Sequence, residues 1–199
     1  MKIYGLTGGI GCGKSTVSRI LQNYGFQIID ADCLTRDVQH TPEICRALAD
    51  AFGRDILTMS PTGPAVNRKL LGNRVFASDS ERAKLDQIMR PALKREAQIR
   101  LKACTAPAIL DAALLFEAGW DDLTDENIVV LCPEEIRLTR IMSRDSLTKS
   151  AALARIRAQL SDAERIAHAD KLIYNTGDIS SIYRQIIYIF GHPASHAAY

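Results

Sequence analysis

Residues 8–15 read Gly8-Gly9-Ile10-Gly11-Cys12-Gly13-Lys14-Ser15, a complete G-x-x-x-x-G-K-S phosphate-binding loop. This pattern restricts the fold as much as the ligand. Phosphate oxygens need several convergent backbone N–H donors, and only a chain short of Cβ atoms wraps closely enough to supply them. The loop must be fed by a strand and must open a helix whose N-terminal dipole points at the same charge. Both requirements are legible. Lys2 to Leu6 predicts a short strand, and Val17, Ile20 and Leu21 recur at helical spacing up to Gly25, placed as a C′ glycine. Lys14 has the reach for β- and γ-phosphates, and the Ser15 hydroxyl is a candidate Mg²⁺ ligand. Gly9, Ile10, Gly11, Cys12, Gly13, Lys14, Ser15 and Thr16 form the candidate nucleotide-binding stretch.

Strands and helices alternate beyond the loop. Gln27 to Asp30, Ala108 to Asp111, Asn127 to Leu131 and Lys171 to Tyr174 are compact apolar runs that predict further strands. Between them, helices are predicted from Pro42 to Gly53 with Thr41 as cap, from Pro133, and after Asp178 with Ile182, Ile186, Ile189 and Phe190 inward. Ser161-Asp162-Ala163-Glu164 has the form of a capping box. The expected fold is therefore α/β, a three-layer arrangement of a mostly parallel sheet with helices on both faces. Ligands of such sheets bind beyond the carboxyl ends of the strands. From about Ser60 to Cys104 the pattern changes. Ser60-Pro61-Thr62-Gly63-Pro64 reads as a turn-rich break, followed by helices over Asn67–Phe76, Ser80–Met89 and a third with Pro91 at N1. This stretch is the candidate helical insertion into one domain, leaving 1–59 and 105–199 as the core.

Composition removes other classes. Lys+Arg 25 against Asp+Glu 23 leaves a formal charge of only +2, without the basic excess of a nucleic-acid binder. Cys12, Cys33, Cys45, Cys104 and Cys132 are scattered and odd in number, which argues against a disulfide framework or a zinc site and for a reducing compartment. His40, His168, His192 and His196 show no ligand spacing and read as surface residues, and Trp120 as packing. No signal peptide fits the N-terminus, and Ile182 to Phe190 is too short to span a bilayer. A cytoplasmic chain with no membrane or nucleic-acid partner, and no obligate protein partner, is expected.

A phosphate loop alone leaves switches, motors, transporter ATPases and metabolite kinases open. The chain has no N-K-x-D stretch to read guanine and no L-S-G-G-Q stretch of a transporter ATPase. Asp30-Ala31-Asp32 follows the second predicted strand, and if the strand stays extended the two carboxylates point to one side. One of them is suited to orient and deprotonate an attacking hydroxyl. The competing use is a helix cap. Arg137, Arg140 and Arg144, spaced i, i+3, i+7, share a predicted helix face, suited either to close on a transferring phosphoryl group or to pair with Glu134, Glu135 or Asp145 as a solvated surface. Asp111, ending a buried strand, either helps hold Mg²⁺ or caps the next helix.

The motifs together resemble the dephospho-CoA kinase family. Gly5 through Val17 is similar to that family's opening almost residue for residue, Ile29-Asp30-Ala31-Asp32 to its I-D-A-D segment, and Leu114-Leu115-Phe116-Glu117 to its L-L-F-E stretch. Arg140 to Leu147, Ala158-Gln159, Ala169-Asp170 and Asn175-x-Gly177 resemble later segments. The resemblance implies a P-loop NTPase fold with a substrate domain over about Ser60 to Cys104 and a lid over 140–160. It implies transfer of the γ-phosphoryl of ATP to the 3′-hydroxyl of dephospho-CoA, the last step of coenzyme A biosynthesis, with Mg²⁺ as cofactor. By position it makes Asp32 the base with Thr7 nearby, and gives Lys14, Arg140 and Arg144 to phosphate and Asn175 and Gly177 to the adenine of ATP. Substrate contacts are expected from Asp32, Arg90, Leu115 and Glu117, and Mg²⁺ contacts from Ser15 and Asp111. The chain departs from the family's usual pattern at Asp86 and Arg90 (L-N-x-x-x-H-P), Asn67, Ala113 and Arg137. The alternatives are another P-loop metabolite kinase, for a nucleoside monophosphate or small alcohol, or a nucleotide-dependent switch protein.

Overall fold

The structure is a computed structural model, and it describes residues 1–60, 63–75 and 78–191. His192 and His196, and the turn at 61–62, lie outside the described residues. In chain order the elements begin β1 (Ile3–Gly8), α1 (Lys14–Asn23), β2 (Gln27–Asp30), α2 (Ala31–Gln39) and α3 (Pro42–Phe52). They continue with β3 (Leu57–Ser60), β4 (Gly63–Val66), α4 (Arg68–Val75), α5 (Asp79–Ala103), β5 (Ala108–Asp111) and β6 (Glu126–Leu131). Last come α6 (Glu134–Asp145), α7 (Lys149–Arg157), α8 (Asp162–Ala167), β7 (Lys171–Tyr174) and α9 (Ile179–Phe190). Contacts divide them into two compact units, one up to Ile29 and from Ala103 onward, the other Asp30–Lys102.

The first unit is built on the sheet β2-β5-β1-β6-β7. The pairs β1–β5, β1–β6 and β6–β7 are parallel. Short apolar strands separated by helices pair this way because a parallel neighbour can be reached only by a crossover, and the crossover helix must cover the sheet. Leu6, Ile109, Ile128, Val130 and Ile173 meet Val17, Ile20 and Leu21 of α1 and Ile182 and Ile186 of α9. Tyr4, Phe26 and Phe190 close the end of this cluster, each ring edge-on to the others. Leu110 and Val129, alternate to these, are equally buried, so the central strands face protein on both sides. Each such side chain contributes about 1.5–3 kcal/mol by leaving water.

Two other local signals hold in detail. Ser161 and Glu164 form the reciprocal capping box of α8, and Asp178 caps α9 by accepting from the Ser180 N–H. Thr41 stands at the N-cap of α3, but its hydroxyl donates to the Val38 carbonyl and not to that helix.

The second unit has its own core of Val38, Ile44, Leu48, Phe52, Ile56, Val66, Leu71 and Met89. It differs from the sequence expectation in three ways. First, the stretch from Ser60 is not purely helical. β3 and β4 form an antiparallel hairpin in which Met59 faces Pro64. Proline argues against a strand in sequence, yet a two-stranded sheet leaves one side of each strand open, where a missing N–H breaks no ladder bond. Second, Pro91 does not start a new helix but lies inside α5, which runs unbroken for 25 residues. An interior proline costs about 3 kcal/mol. Leu85 and Ile88 before it, and Ala92 and Leu93 after it, pack against the same core and hold both halves in line. Third, the chain does not stay extended after β2. Asp30 accepts from the N–H groups of Asp32 (2.7 Å) and Cys33 (3.2 Å) and so caps α2.

Candidate active site

The phosphate loop spans the gap between β1 and α1. Its tightness comes from backbone geometry: the Cys12 N–H donates to the Gly9 carbonyl at 3.0 Å, and Gly13 at φ 88° turns the chain into the helix. Only glycine suits that position, since the conformation is left-handed and a Cβ would run into the Asn175 side chain. Ser15 follows, exposed, in the first turn of α1. Cys12 is buried, and burial pushes its thiol up, so it is packing rather than a nucleophile.

Strand register brings the next residue to the loop. Leu6 pairs with Asp111, so the carboxylate that ends β5 lies beside the end of β1. There the Lys14 ammonium forms an ion pair with Asp111 Oδ1. Asp111 is 6% exposed, which makes this a largely desolvated pair. An ammonium has three donors, so the pair leaves Lys14 hydrogen-bonding capacity for a phosphate oxygen. Thr7, fully buried, donates its hydroxyl to the Ala113 carbonyl at 3.2 Å.

The three arginines of α6 do not form one solvated face. Arg137 is 4% exposed and turned under the loop, with Nε donating to the Ile10 carbonyl at 3.0 Å. Arg140 donates to the Gly11 carbonyl (3.2 Å) and to Asn175 Oδ1 (3.5 Å). Arg144 is exposed and forks onto Asp145, which also takes Arg155 of α7 at 2.7 Å. The Arg144 guanidinium holds the Asp145 carboxyl below the usual range. The helix pair α6–α7 closes over a small apolar cluster of Ile141, Ala152 and Ile156, into which Ile10 of the loop also packs.

Asn175, 4% exposed, sits at the end of β7. Its amide nitrogen donates to the Cys12 carbonyl (2.7 Å), and its oxygen accepts from the Gly177 N–H (3.2 Å). Both ends of the amide therefore serve the protein. Gly13, Thr16, Arg140, Asn175, Gly177, Ile179 and Ile182 line a cleft of about 290 Å³. Its wall is mixed polar and apolar and lies next to the loop.

The remaining predicted residues lie elsewhere. Leu115 is fully buried, and a Cβ on Gly5 would meet its Cδ2 at 2.6 Å, so its side chain is core and not a substrate-contacting surface. Glu117 faces the buried Arg165 at 3.6 Å, so an ion pair occupies it. In the second unit, Asp32 is exposed in the first turn of α2, and Arg90 is exposed on α5, paired with Asp86 at 2.8 Å. The two departures from the family pattern in that helix are thus partners at i, i+4. Among the described residues no cluster of three or more His, Cys, Asp or Glu is placed to hold a metal, and no helix is long and apolar enough to cross a membrane.

The sequence marks Ala158-Gln159 as a family-like segment but gives it no role; here Gln159 Oε1 accepts from the Ile10 N–H at 2.7 Å, and Asp162 and Arg165 join the loop's support. No local pattern marks these contacts, because the partners of Gln159 and Arg137 lie 149 and 127 residues away in the chain.

Comparison with known proteins supplies the family. The profile described as dephospho-CoA kinase matches residues 2–181. The dephospho-CoA kinase of Carboxydothermus hydrogenoformans is 43% identical over 195 residues, 95% of this chain and 93% of that protein. Among solved structures, one from Thermus thermophilus superposes with a TM-score of 0.78 at 29% identity, covering 94% of this chain and 95% of its own. A dephospho-CoA kinase from Campylobacter jejuni shares the fold, with a TM-score of 0.66 at 24% identity over 96% of this chain and 97% of its own. With a complete phosphate loop at the carboxyl end of a parallel sheet and this match along nearly its whole length, the chain belongs to the dephospho-CoA kinase family.

Proposed function

We propose that this protein transfers the γ-phosphoryl of ATP to the 3′-hydroxyl of dephospho-CoA, giving CoA and ADP. The observation that carries the reading is the Lys14–Asp111 pair at the mouth of the loop, in a chain of this family. Phosphoryl transfer asks the protein mainly to position the reactants and to balance charge on the phosphoryl oxygens. In this reading the loop N–H groups and Lys14 hold the β- and γ-phosphates. Arg140, already leaning on the Gly11 carbonyl, adds a second positive charge at the same end. The adenine takes the cleft between Thr16 and Ile179, where Asn175 shapes the wall rather than reading the base. Asp32 accepts the proton of the 3′-hydroxyl as oxygen attacks phosphorus. Thr7, its hydroxyl committed to Ala113, supports the strand end rather than the acceptor.

A divalent cation fits the chemistry of the donors present, since Ser15 and Asp111 offer hard oxygen ligands and the phosphates supply the rest. When bound, Mg²⁺ would neutralise charge on the β- and γ-oxygens. The protein's own part is to hold Asp111 beside Lys14 at the end of β5.

Acceptor identity tests the assignment. With ATP and Mg²⁺ supplied, dephospho-CoA is expected to release ADP much faster than adenosine, AMP, shikimate or gluconate. Faster release with AMP or a small alcohol would reduce the reading to a P-loop metabolite kinase of other specificity.

The lid reading has a separate check. Few apolar side chains are buried under α6–α7, and Asp145 bridges the helices at the surface, so this segment should open at low cost. Amide exchange over residues 140–160 is expected to slow when a bisubstrate analogue binds. Equal exchange with and without the analogue would leave Arg144 an ordinary surface charge.

A further inference from the structure

The phosphate loop rests on charges that the kinase reading does not use. Ile10 is gripped at three points: its N–H by Gln159, its carbonyl by Arg137, and its side chain by the apolar cluster under α6–α7. Arg137 also lies against the loop's glycines. A Cβ on Gly9 would lie 2.8 Å from its Cζ, and one on Gly11 would lie 3.2 Å from its Cα, so two loop glycines lie directly against this residue. Its Nη1 donates to both oxygens of Asp162, at 3.1 and 3.3 Å. Asp162 in turn faces Arg165 at 3.7 Å, and Arg165, 1% exposed, faces Glu117 at 3.6 Å and donates to the Leu160 carbonyl. Positive and negative groups therefore alternate from the loop through α6 and α8 to the turn after β5. The last joint is loose. Nε and Nη2 of Arg165 and both carboxylate oxygens of Glu117 are buried without a hydrogen-bond partner among the described residues.

Two buried guanidinium groups are an expensive way to fill space, since desolvation offsets most of the attraction in such pairs. What they supply here is direction. A planar fork held by a carboxylate on one edge can present Nε to the Ile10 carbonyl in a single orientation. That carbonyl belongs to the peptide linking Ile10 to Gly11, so its direction sets the direction of the Gly11 N–H.

We propose that Arg137 is a positioning residue for the phosphate loop and that Asp162 acts through it, so that ATP affinity depends on two charges that do not touch ATP. The inference rests on reading residues 8–15 as the ATP site. A displaced loop donor is costly because misplacement by about 1 Å can lower rates or binding by roughly 100-fold.

The test compares Arg137→Met, Asp162→Asn and the double variant, each assayed well below its melting temperature. The KM for ATP is expected to rise about 10- to 100-fold for Arg137→Met, with the KM for dephospho-CoA within about twofold of parent. Asp162→Asn, whose side chain is partly exposed and whose loss should not prevent folding, is expected to shift the ATP value in the same direction. The double variant should be no worse than Arg137→Met within about twofold, because both changes remove one linkage. Equal rises in both KM values would mean general loosening and would overturn the inference. Asp162→Asn at parental ATP affinity would also overturn it, since Arg137 would then act without its partner. Calorimetric ATP binding to the same proteins keeps this separate from the kinase assignment. A parent that binds ATP but does not phosphorylate dephospho-CoA would sink the assignment and leave the Arg137–Asp162 linkage still measurable.

Discussion

Lys14→Ala is expected to lower kcat by about 100- to 1,000-fold or more, the range for removing one preorganised charge from a transition state. The structure adds a second consequence. Asp111 is buried against Lys14, so truncation leaves a desolvated carboxylate without its ion-pair partner. Such an orphaned group costs on the order of 1–3 kcal/mol. For a chain of this size each kcal/mol lowers the melting temperature by about 2–4 °C. Far-UV circular dichroism should be unchanged at 25 °C, since no core side chain is removed. Adding Asp111→Asn to Lys14→Ala should restore part of the melting temperature and none of the activity. Near-parental turnover in the single variant would show that the loop is not the phosphoryl site.

Asp32→Asn should show the other large effect. General-base groups contribute about 10²–10⁴-fold, so the loss is expected in kcat, with the KM for ATP little changed. Asp32 is exposed in the first turn of α2, and its replacement by an isosteric amide should leave the melting temperature near parent. Asp30 provides the contrast. Its carboxylate is spent on the N–H groups of Asp32 and Cys33, so Asp30→Asn, which keeps an acceptor, should cost little activity. Asp30→Ala should instead cost about 1 kcal/mol of stability, as lost N-caps do. A larger kcat loss from Asp30→Asn than from Asp32→Asn would show that the wrong carboxylate carries the base role.

These two residues also show how far local reading reaches. The loop, the five strands of the main sheet and the helices α1, α3, α6 and α9 are written in patterns a few residues long: glycine spacing, apolar runs, and apolar positions at 3–4-residue intervals. The capping box at Ser161 and the cap at Asp178 belong to the same class, because donor and acceptor lie within three residues of one another. Asp30-Ala31-Asp32 was ambiguous for the same reason. Period-2 geometry and a helix cap fit equally well, and the choice depends on where α2 begins, which the packing of its Val38 into the core of the second unit settles. Pro64 and Pro91 mislead for a related reason, since the preference of proline for breaks is local: Pro64 sits in a two-stranded sheet with an open side, and Pro91 is outweighed by the apolar residues on either side of it.

Which charges meet was beyond sequence reading. The i, i+3, i+7 spacing of Arg137, Arg140 and Arg144 is the same whether the helix face meets water, phosphate or protein. Only the packing of α6 under the phosphate loop buries the first, sets the second against Gly11 and leaves the third to Asp145. Lys14 and Asp111 are 97 residues apart and meet because β1 and β5 pair in one register. Short-range preferences extend a turn or two along the chain. Ion pairing in a low-dielectric interior depends on ångström distances that arise only when strands from distant parts of the sequence lie side by side.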